Sequence, residues 1–177
     1  FLNNNEKKFK ALQIYEWLYD KKVRSFYDMT NIKKDIQEKL SNDFEIDFIK
    51  NAYEYVRDQI SHSADINEDL ITCAASEVLT AGHGICFAKS HLLTALLRSK
   101  GIPAGFCYQK LILDDDTAPE LIYHGLNGVY IKELDKWIRL DARGNKEGVN
   151  AQFSLDVEQL AFPIRPEKGE EDNFVVY

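Results

Sequence analysis

Nothing in this sequence of 177 residues approaches the roughly 18 consecutive apolar residues that a membrane-spanning helix needs. No charged-then-apolar leader opens it either, so no membrane partner is expected. Cysteine is scarce: Cys73, Cys86 and Cys107 are an odd number with no CxxC pair. A disulfide framework is therefore not expected, a reducing and cytoplasmic setting is, and each thiol has to be explained singly. No GxGxxG or Walker pattern occurs, which removes the sequence basis for nucleotide binding.

Positive charge is short over most of the chain. Residues 1–43 carry nine Lys and Arg against seven Asp and Glu, whereas 44–177 carry thirteen against twenty-two. The larger part is thus no general nucleic-acid binder and no DNA partner is expected, because an acidic surface repels phosphate. "LDDDTAPE" (113–120) is the one dense acidic run. It lacks the alternation and the glycine turn of a calcium loop, which favours a surface loop.

What is present is a core-forming content of 45% hydrophobic residues and clear periodicity. Phe9, Leu12, Tyr15 and Leu18 fall near one helical face with Ile14 and Trp17 beside it. Thr30 is a candidate N-cap for a second short helix through Ile32, Ile36 and Leu40, ended by "SND" at 41–43. From 47 onward, Ile49, Ala52, Tyr53, Val56 and Ile60 repeat at helical spacing. A polar loop follows, in which His62 is a loop residue. Thr72 is expected to cap a short helix with Ala75, Val78 and Leu79 inward, broken by "TAGHG". After Cys86 a buried helix carries Ala88, Leu92, Ala95, Leu96 and Ser99 on one face, stopped by Gly101 and Pro103. "GIPAGFCYQKLIL", "LIYHGLNGVYI" and "KWIRLD" read as strands, the last two joined by "KELD". Beyond them the spacing allows a short helix at best, then an extended tail. Helices first and an antiparallel sheet after them give an α+β fold with a small helical module at 1–43 and a main domain at 44–177.

Cys86 opens a helix behind the glycines of "GHGIC". Unpaired N–H groups and the helix dipole there favour a thiolate and could hold the oxyanion formed on attack. Acyl transfer also needs an imidazole base and a group that fixes its tautomer. His124 and Asp141 lie on the two downstream strands, in reach of each other only if the hairpin register is odd. Closing it with Ile131 opposite Lys136 satisfies this and sets Asp141 diagonal to His124.

Together, "TCAASEVLTAGHGICFAKSHLLTALLRSKGIPAGFCYQ", "HGLNGVYI" and "WIRLDARGNKEGVNAQFS" resemble the bacterial and archaeal transglutaminase-like superfamily over about residues 47–165. The resemblance implies a papain-like core, a Cys86 nucleophile, a His124 base, an Asp141 orienting acid and a peptide or other amide substrate. Residues 9–40, including Gln13, Trp17, Tyr19, Phe26, Met29 and Thr30, resemble the N-terminal helical domain of radical-SAM rRNA adenine methyltransferases. The CxxxCxxC cluster motif of that family is missing, so methyl transfer is excluded for this chain and docking to RNA or protein by residues 1–43 is what the resemblance leaves.

The expectation is a cysteine-dependent amidase or peptidase, with hydrolysis favoured over cross-linking; a non-catalytic binding module on the same fold is the rival. No cofactor is implied. His83, Cys86 and His91 lack the paired spacing of a zinc site, so no metal is expected. His83 is expected at the cleft mouth and His91 as a hydrogen-bonded structural residue. Trp137 shares strand parity with Asp141 and is expected to wall the cleft. Arg143 could hold Asp141 or a substrate carboxylate, or pair at the surface.

Overall fold

A computed structural model describes residues 4–23, 25–113, 120–173 and 175–177. The acidic run proposed as a surface loop falls mostly at 114–119, outside the described residues. The chain divides into two compact units, 1–47 and 48–177.

In the first unit, α1 (Asn4–Tyr15) passes directly into a π-helical turn at Glu16–Asp20. The apolar positions expected on one face are largely solvent-facing: Phe9, Leu12 and Tyr15 are exposed and Leu18 is half-buried. The Tyr15 and Tyr19 rings stack at 4.5 Å, and the Lys21 ammonium lies 3.8 Å over the Trp17 ring. Helix α2 (Lys34–Gln59) begins four residues beyond Thr30, and Gln37 Nε2 donates back to the carbonyls of Met29 and Ile32. The helix does not stop at "SND". Ser41, Asn42 and Asp43 each disfavour helix by at most about 0.7 kcal/mol relative to Ala, and without a glycine or proline they interrupt nothing.

The second unit starts within α2, whose Ile49, Tyr53 and Val56 are fully buried as the spacing predicts. The "polar loop" that follows contains β1 (Ser61–His62), paired in parallel with β2 (His83–Gly84). Between them, α3 (Ala75–Ala81) is started not by Thr72 but by the Glu77 carboxylate, which accepts from the backbone N–H groups of Cys73 and Ala74. Thr72 instead donates its hydroxyl to the His83 carbonyl. Val78 faces inward but Leu79 is exposed, since a helix of seven residues presents only one narrow stripe to the core. Gly82 ends it in the left-handed region at φ 72°.

Helix α4 (Cys86–Arg98) buries Ala88, Leu92, Leu93 and Leu97. Ala95 and Ser99 are exposed instead; the inward face is rotated toward Lys89, Ser90 and Thr94, which are buried polar residues. The reason is Asn127 on the sheet, whose amide donates to the Ser90 carbonyl and the Thr94 hydroxyl and so fixes the rotation of the helix. Strands β3 (Ala104–Leu113), β4 (Glu120–Ile131) and β5 (Lys136–Leu140) form the antiparallel sheet. The tail adds a strand the sequence does not suggest: β6 (Glu171–Asn173) pairs with β3, giving the order β5-β4-β3-β6. Its residues are poor strand formers, and side-chain bonds compensate. Asp172 accepts from Arg139 and Gln109, and Glu171 from Lys110. The architecture is α+β, a curled antiparallel sheet packed with helices. No described helix is long and apolar enough to cross a membrane.

Candidate active site

Three local devices put Cys86 where it is. Ile85 is extended (φ −74°, ψ 172°), so the chain turns into α4 with Cys86 as its first residue and no side chain capping the helix start. Gly84 permits this approach, because a Cβ there would lie 2.9 Å from the Cβ of Ala88 and 3.0 Å from Thr72 Oγ1. On the sheet side, Gly125 lets β4 come close: a Cβ on it would meet the Phe87 ring at 2.9 Å. The Gly125 backbone thus comes close enough to the Cys86 sulfur to help lower the thiol value.

The hairpin of β4 and β5 has the register expected from the "KELD" loop, with Ile131 opposite Lys136 and Asn127 opposite Leu140. Asp141 follows the last pair on the face that carries His124. His124 Nε2 and Asp141 Oδ2 are 2.8 Å apart, and both residues are almost wholly buried. The carboxylate is held on both oxygens: Oδ1 accepts from Arg143 N at 3.1 Å and Oδ2 also accepts from Ala161 N at 3.0 Å. The Phe162 ring meets His124 edge-on at 5.0 Å. With Nε2 engaged by Asp141, the imidazole turns its other nitrogen toward the thiol.

Electrostatics follow from these contacts. Burial alone would raise the Cys86 thiol, but hydrogen bonds from His124 and His62 and the neighbouring imidazole charge outweigh it and lower the value to about 6. Burial alone would lower His124, yet the Asp141 charge and hydrogen bond, with a smaller share from Cys86, raise it to about 9. Asp141 is pulled below the ordinary carboxylate value by His124 and the two backbone N–H groups, against its own burial. The group of three is poised as thiolate, imidazolium and carboxylate at neutral pH. Cys107 shows the contrast: buried mid-strand with no such partner, its thiol is pushed up to about 11.

The sulfur opens on a cleft of about 700 Å³ walled by Phe87, Leu111, Ile122, Tyr123 and Phe162 among others. Among the described residues, the carboxylates on its rim are paired with cations. Asp65 accepts two bonds from the Arg143 guanidinium and one from Lys146, and Glu170 is gripped by Arg165. Arg143 therefore holds Asp141 through its backbone and Asp65 through its side chain.

Several expected placements do not hold. His83 is buried away from the cleft mouth, with Nδ1 3.0 Å from Ser63 Oγ. Trp137 lies against Tyr130 at 5.6 Å rather than on the cleft wall. His91, bonded to the Cys73 carbonyl at 2.9 Å, is structural as expected, and His83, Cys86 and His91 do not converge. Two residues have places the sequence does not suggest, His62, read as a loop residue, and Lys89. His62 lines the cleft beside the thiol and helps to lower its value. Lys89, one turn after Cys86, is fully buried, and its ammonium donates to the carbonyls of Arg57 and Ile60 at the end of α2.

Comparison with known proteins divides the chain. Residues 1–46 match the ribosomal RNA large subunit methyltransferase N-terminal domain. Over this segment the chain is 54% identical, across 50 residues, to the probable dual-specificity RNA methyltransferase RlmN of Bacillus subtilis (strain 168), covering 28% of this chain and 14% of that protein. The RlmN of Streptococcus pneumoniae (strain Hungary19A-6) is 51% identical over 49 residues, with the same shares. The chain thus spans about one seventh of the length of the curated relatives it matches. Among solved structures, a putative cysteine protease from Cytophaga hutchinsonii aligns at a TM-score of 0.42 and 18% identity, covering 64% of this chain and 44% of that one. A TGase aligns at 0.38 and 18%, covering 83% and 41%. The sequence pattern of the transglutaminase-like superfamily matches residues 30–142, well over half of the chain, and the protein belongs to that superfamily.

Proposed function

We propose that the protein is a cysteine-dependent acyl-transfer enzyme that cleaves amide bonds. The Cys86 thiolate attacks a carboxamide carbonyl, and His124, held protonated by Asp141, delivers its proton to the departing amine. A thioester remains on Cys86. His124, now neutral, takes a proton from an incoming water, and collapse of the second tetrahedral intermediate releases the acid. The single observation that carries this reading is the 2.8 Å bond that fixes His124 to the buried Asp141 beside the Cys86 thiol, whose value His124 lowers to about 6.

Hydrolysis is favoured over cross-linking because an incoming lysine needs an anionic reception. Among the described residues, the acidic ones lining the cleft, Asp65 and Glu170, are already satisfied by Arg143, Lys146 and Arg165. Residues 1–46 we read as a docking segment, toward RNA in the first instance. It is slightly basic where the rest of the chain is acidic overall, and it offers exposed, stacked tyrosines of the kind that receive bases. A salt-sensitive mobility shift with large-subunit rRNA fragments supports RNA; no shift leaves a protein as the partner.

The enzyme reading is tested by the rate of iodoacetamide alkylation of Cys86 against pH, with Cys86→Ala as the blank. A rate that reaches its plateau near pH 7 supports it, since the thiol value is about 6. Reactivity at neutral pH no greater than that of free cysteine would leave a non-catalytic binding module on the same fold.

A further inference from the structure

His62 is a side chain at the sulfur that the reaction above does not use. Its ring lies with the Cys86 sulfur on the wall of the same cleft and helps to hold the thiol value down. Its backbone is pinned from two sides. His62 pairs with Gly84, two residues before Cys86, and Ser61 N donates to the Gly82 carbonyl at 2.9 Å. Just ahead of the strand, the buried Lys89 holds the Ile60 carbonyl, so the helix that carries Cys86 also anchors the segment that carries His62. The ring's Nδ1 is buried and, among the described residues, has no hydrogen-bond partner. Native folds rarely keep a buried polar atom unpaired unless a reaction or a ligand needs it.

We infer that His62 is a further catalytic residue: its ring N–H, with the backbone N–H of Cys86, forms the oxyanion hole of this site. The inference rests on the acyl-transfer reading given above. On attack, a sulfur lone pair forms the S–C bond and the carbonyl π pair moves onto oxygen, which lies one bond beyond the carbon that sulfur has joined. The negative charge leaves the sulfur, now a poor acceptor, and appears within reach of the donor that had been holding the thiolate. The Cys86 N–H, in the first turn of α4, has no acceptor inside the helix and is free to serve the same oxygen. His124 cannot share this role, because one nitrogen is committed to Asp141 and the other must protonate the leaving group. On collapse the oxyanion pair reforms the carbonyl, the leaving group departs, and the His62 N–H is released.

Two reagents that meet the same sulfur separate this role from mere support of the thiolate. Iodoacetamide reacts by displacement at a saturated carbon and forms no oxyanion. p-Nitrophenyl acetate acylates through a tetrahedral oxyanion and expels p-nitrophenolate, which needs no proton. Both rates are measured on the full chain and on His62→Ala and His62→Gln, well above the thiol value of about 6. The expected result is alkylation within a few-fold of the parent in both variants. Acylation should fall about 100-fold in His62→Ala and be partly restored in His62→Gln, whose amide keeps an N–H donor. Equal losses with both reagents, or no loss with either, would overturn the assignment; a Gln variant that acylates no faster than the Ala variant would do the same. If the parent Cys86 alkylates no faster than free cysteine, it is the acyl-transfer reading that fails, before His62 is tested at all.

Discussion

His124 and Asp141 are 17 residues apart in the chain and joined by a 2.8 Å hydrogen bond. What joins them is the pairing of Asn127 with Leu140, which ends β5 one residue before the carboxylate. Because side chains alternate along strands, a slip of one residue would turn the carboxylate to the opposite face. The bond is thus a property of the hairpin as much as of the two residues, and the charge state of Cys86 depends on it.

Replacing Asp141 by Asn keeps the shape and removes the charge. The His124 imidazolium then loses the contact that outweighs its burial, and Cys86 loses its cationic neighbour. If the thiol returns from about 6 to its ordinary value of about 8.5, the thiolate fraction at pH 7 falls about thirtyfold. Asp141→Asn should therefore alkylate with iodoacetamide about thirtyfold more slowly at pH 7 and nearly as fast as the parent above pH 9. A deficit that persists at high pH would mean the carboxylate holds the site's shape rather than its charge.

The same pair explains what a sequence can and cannot disclose. The hairpin register was legible because "KELD" leaves one sensible closure, Ile131 opposite Lys136, and the alternation of β4 does the rest. The place of Cys86 at a helix start was legible because two glycines precede an apolar helical run. His62 was not, since its place is fixed by a two-residue parallel bridge to Gly84 that no local pattern announces. Lys89 was invisible for another reason. A lysine counts as outward in any periodicity, yet here its ammonium satisfies two carbonyls at a helix end. Strand β6 escaped because its ladder is supported by ion pairs of Asp172 and Glu171 instead of by apolar alternation.

Lys89→Met keeps the stem and removes the ammonium, leaving the carbonyls of Arg57 and Ile60 without their donor. Unmet buried acceptors cost about 1–3 kcal/mol each, so for two of them chemical unfolding should show a loss of about 2–6 kcal/mol. Alkylation of Cys86 should also slow, because the anchor of the β1 segment goes with the ammonium. A variant as stable as the parent would show that the two carbonyls find water instead.

Gly125→Ala places a methyl group 2.9 Å from the Phe87 ring. Either the ring or β4 must move, and overpacking of this kind costs about 1–3 kcal/mol. The Gly125 N–H moves away from the sulfur with the strand, so alkylation at neutral pH should fall together with stability. Adding Phe87→Leu makes room and should restore both. Restored stability without restored reactivity would mean that the Phe87 ring itself, and not the approach of β4, matters to the thiolate.

Stability against pH separates the two members of the ion pair. The folded value of His124 is raised to about 9, against the pull of its burial, by Asp141. Its contribution is complete below the unfolded value of about 6.5 and is lost as pH climbs through about 9. Cys86 runs the other way. Its folded value is lowered to about 6, despite burial, by His124 and His62, so its contribution is present above the unfolded value of about 8.5 and is lost as pH falls through about 6. Between roughly pH 6.5 and 8.5 the two slopes oppose each other, and the urea midpoint of the parent protein should be nearly level. Cys86→Ala removes one slope and leaves the other, so its midpoint should drop as pH rises across that window. The drop should end below pH 9, because the thiolate's own share in holding the His124 proton is gone. A level profile in Cys86→Ala would show that Asp141 alone does not keep the buried imidazole charged, and that the thiolate is the partner that does.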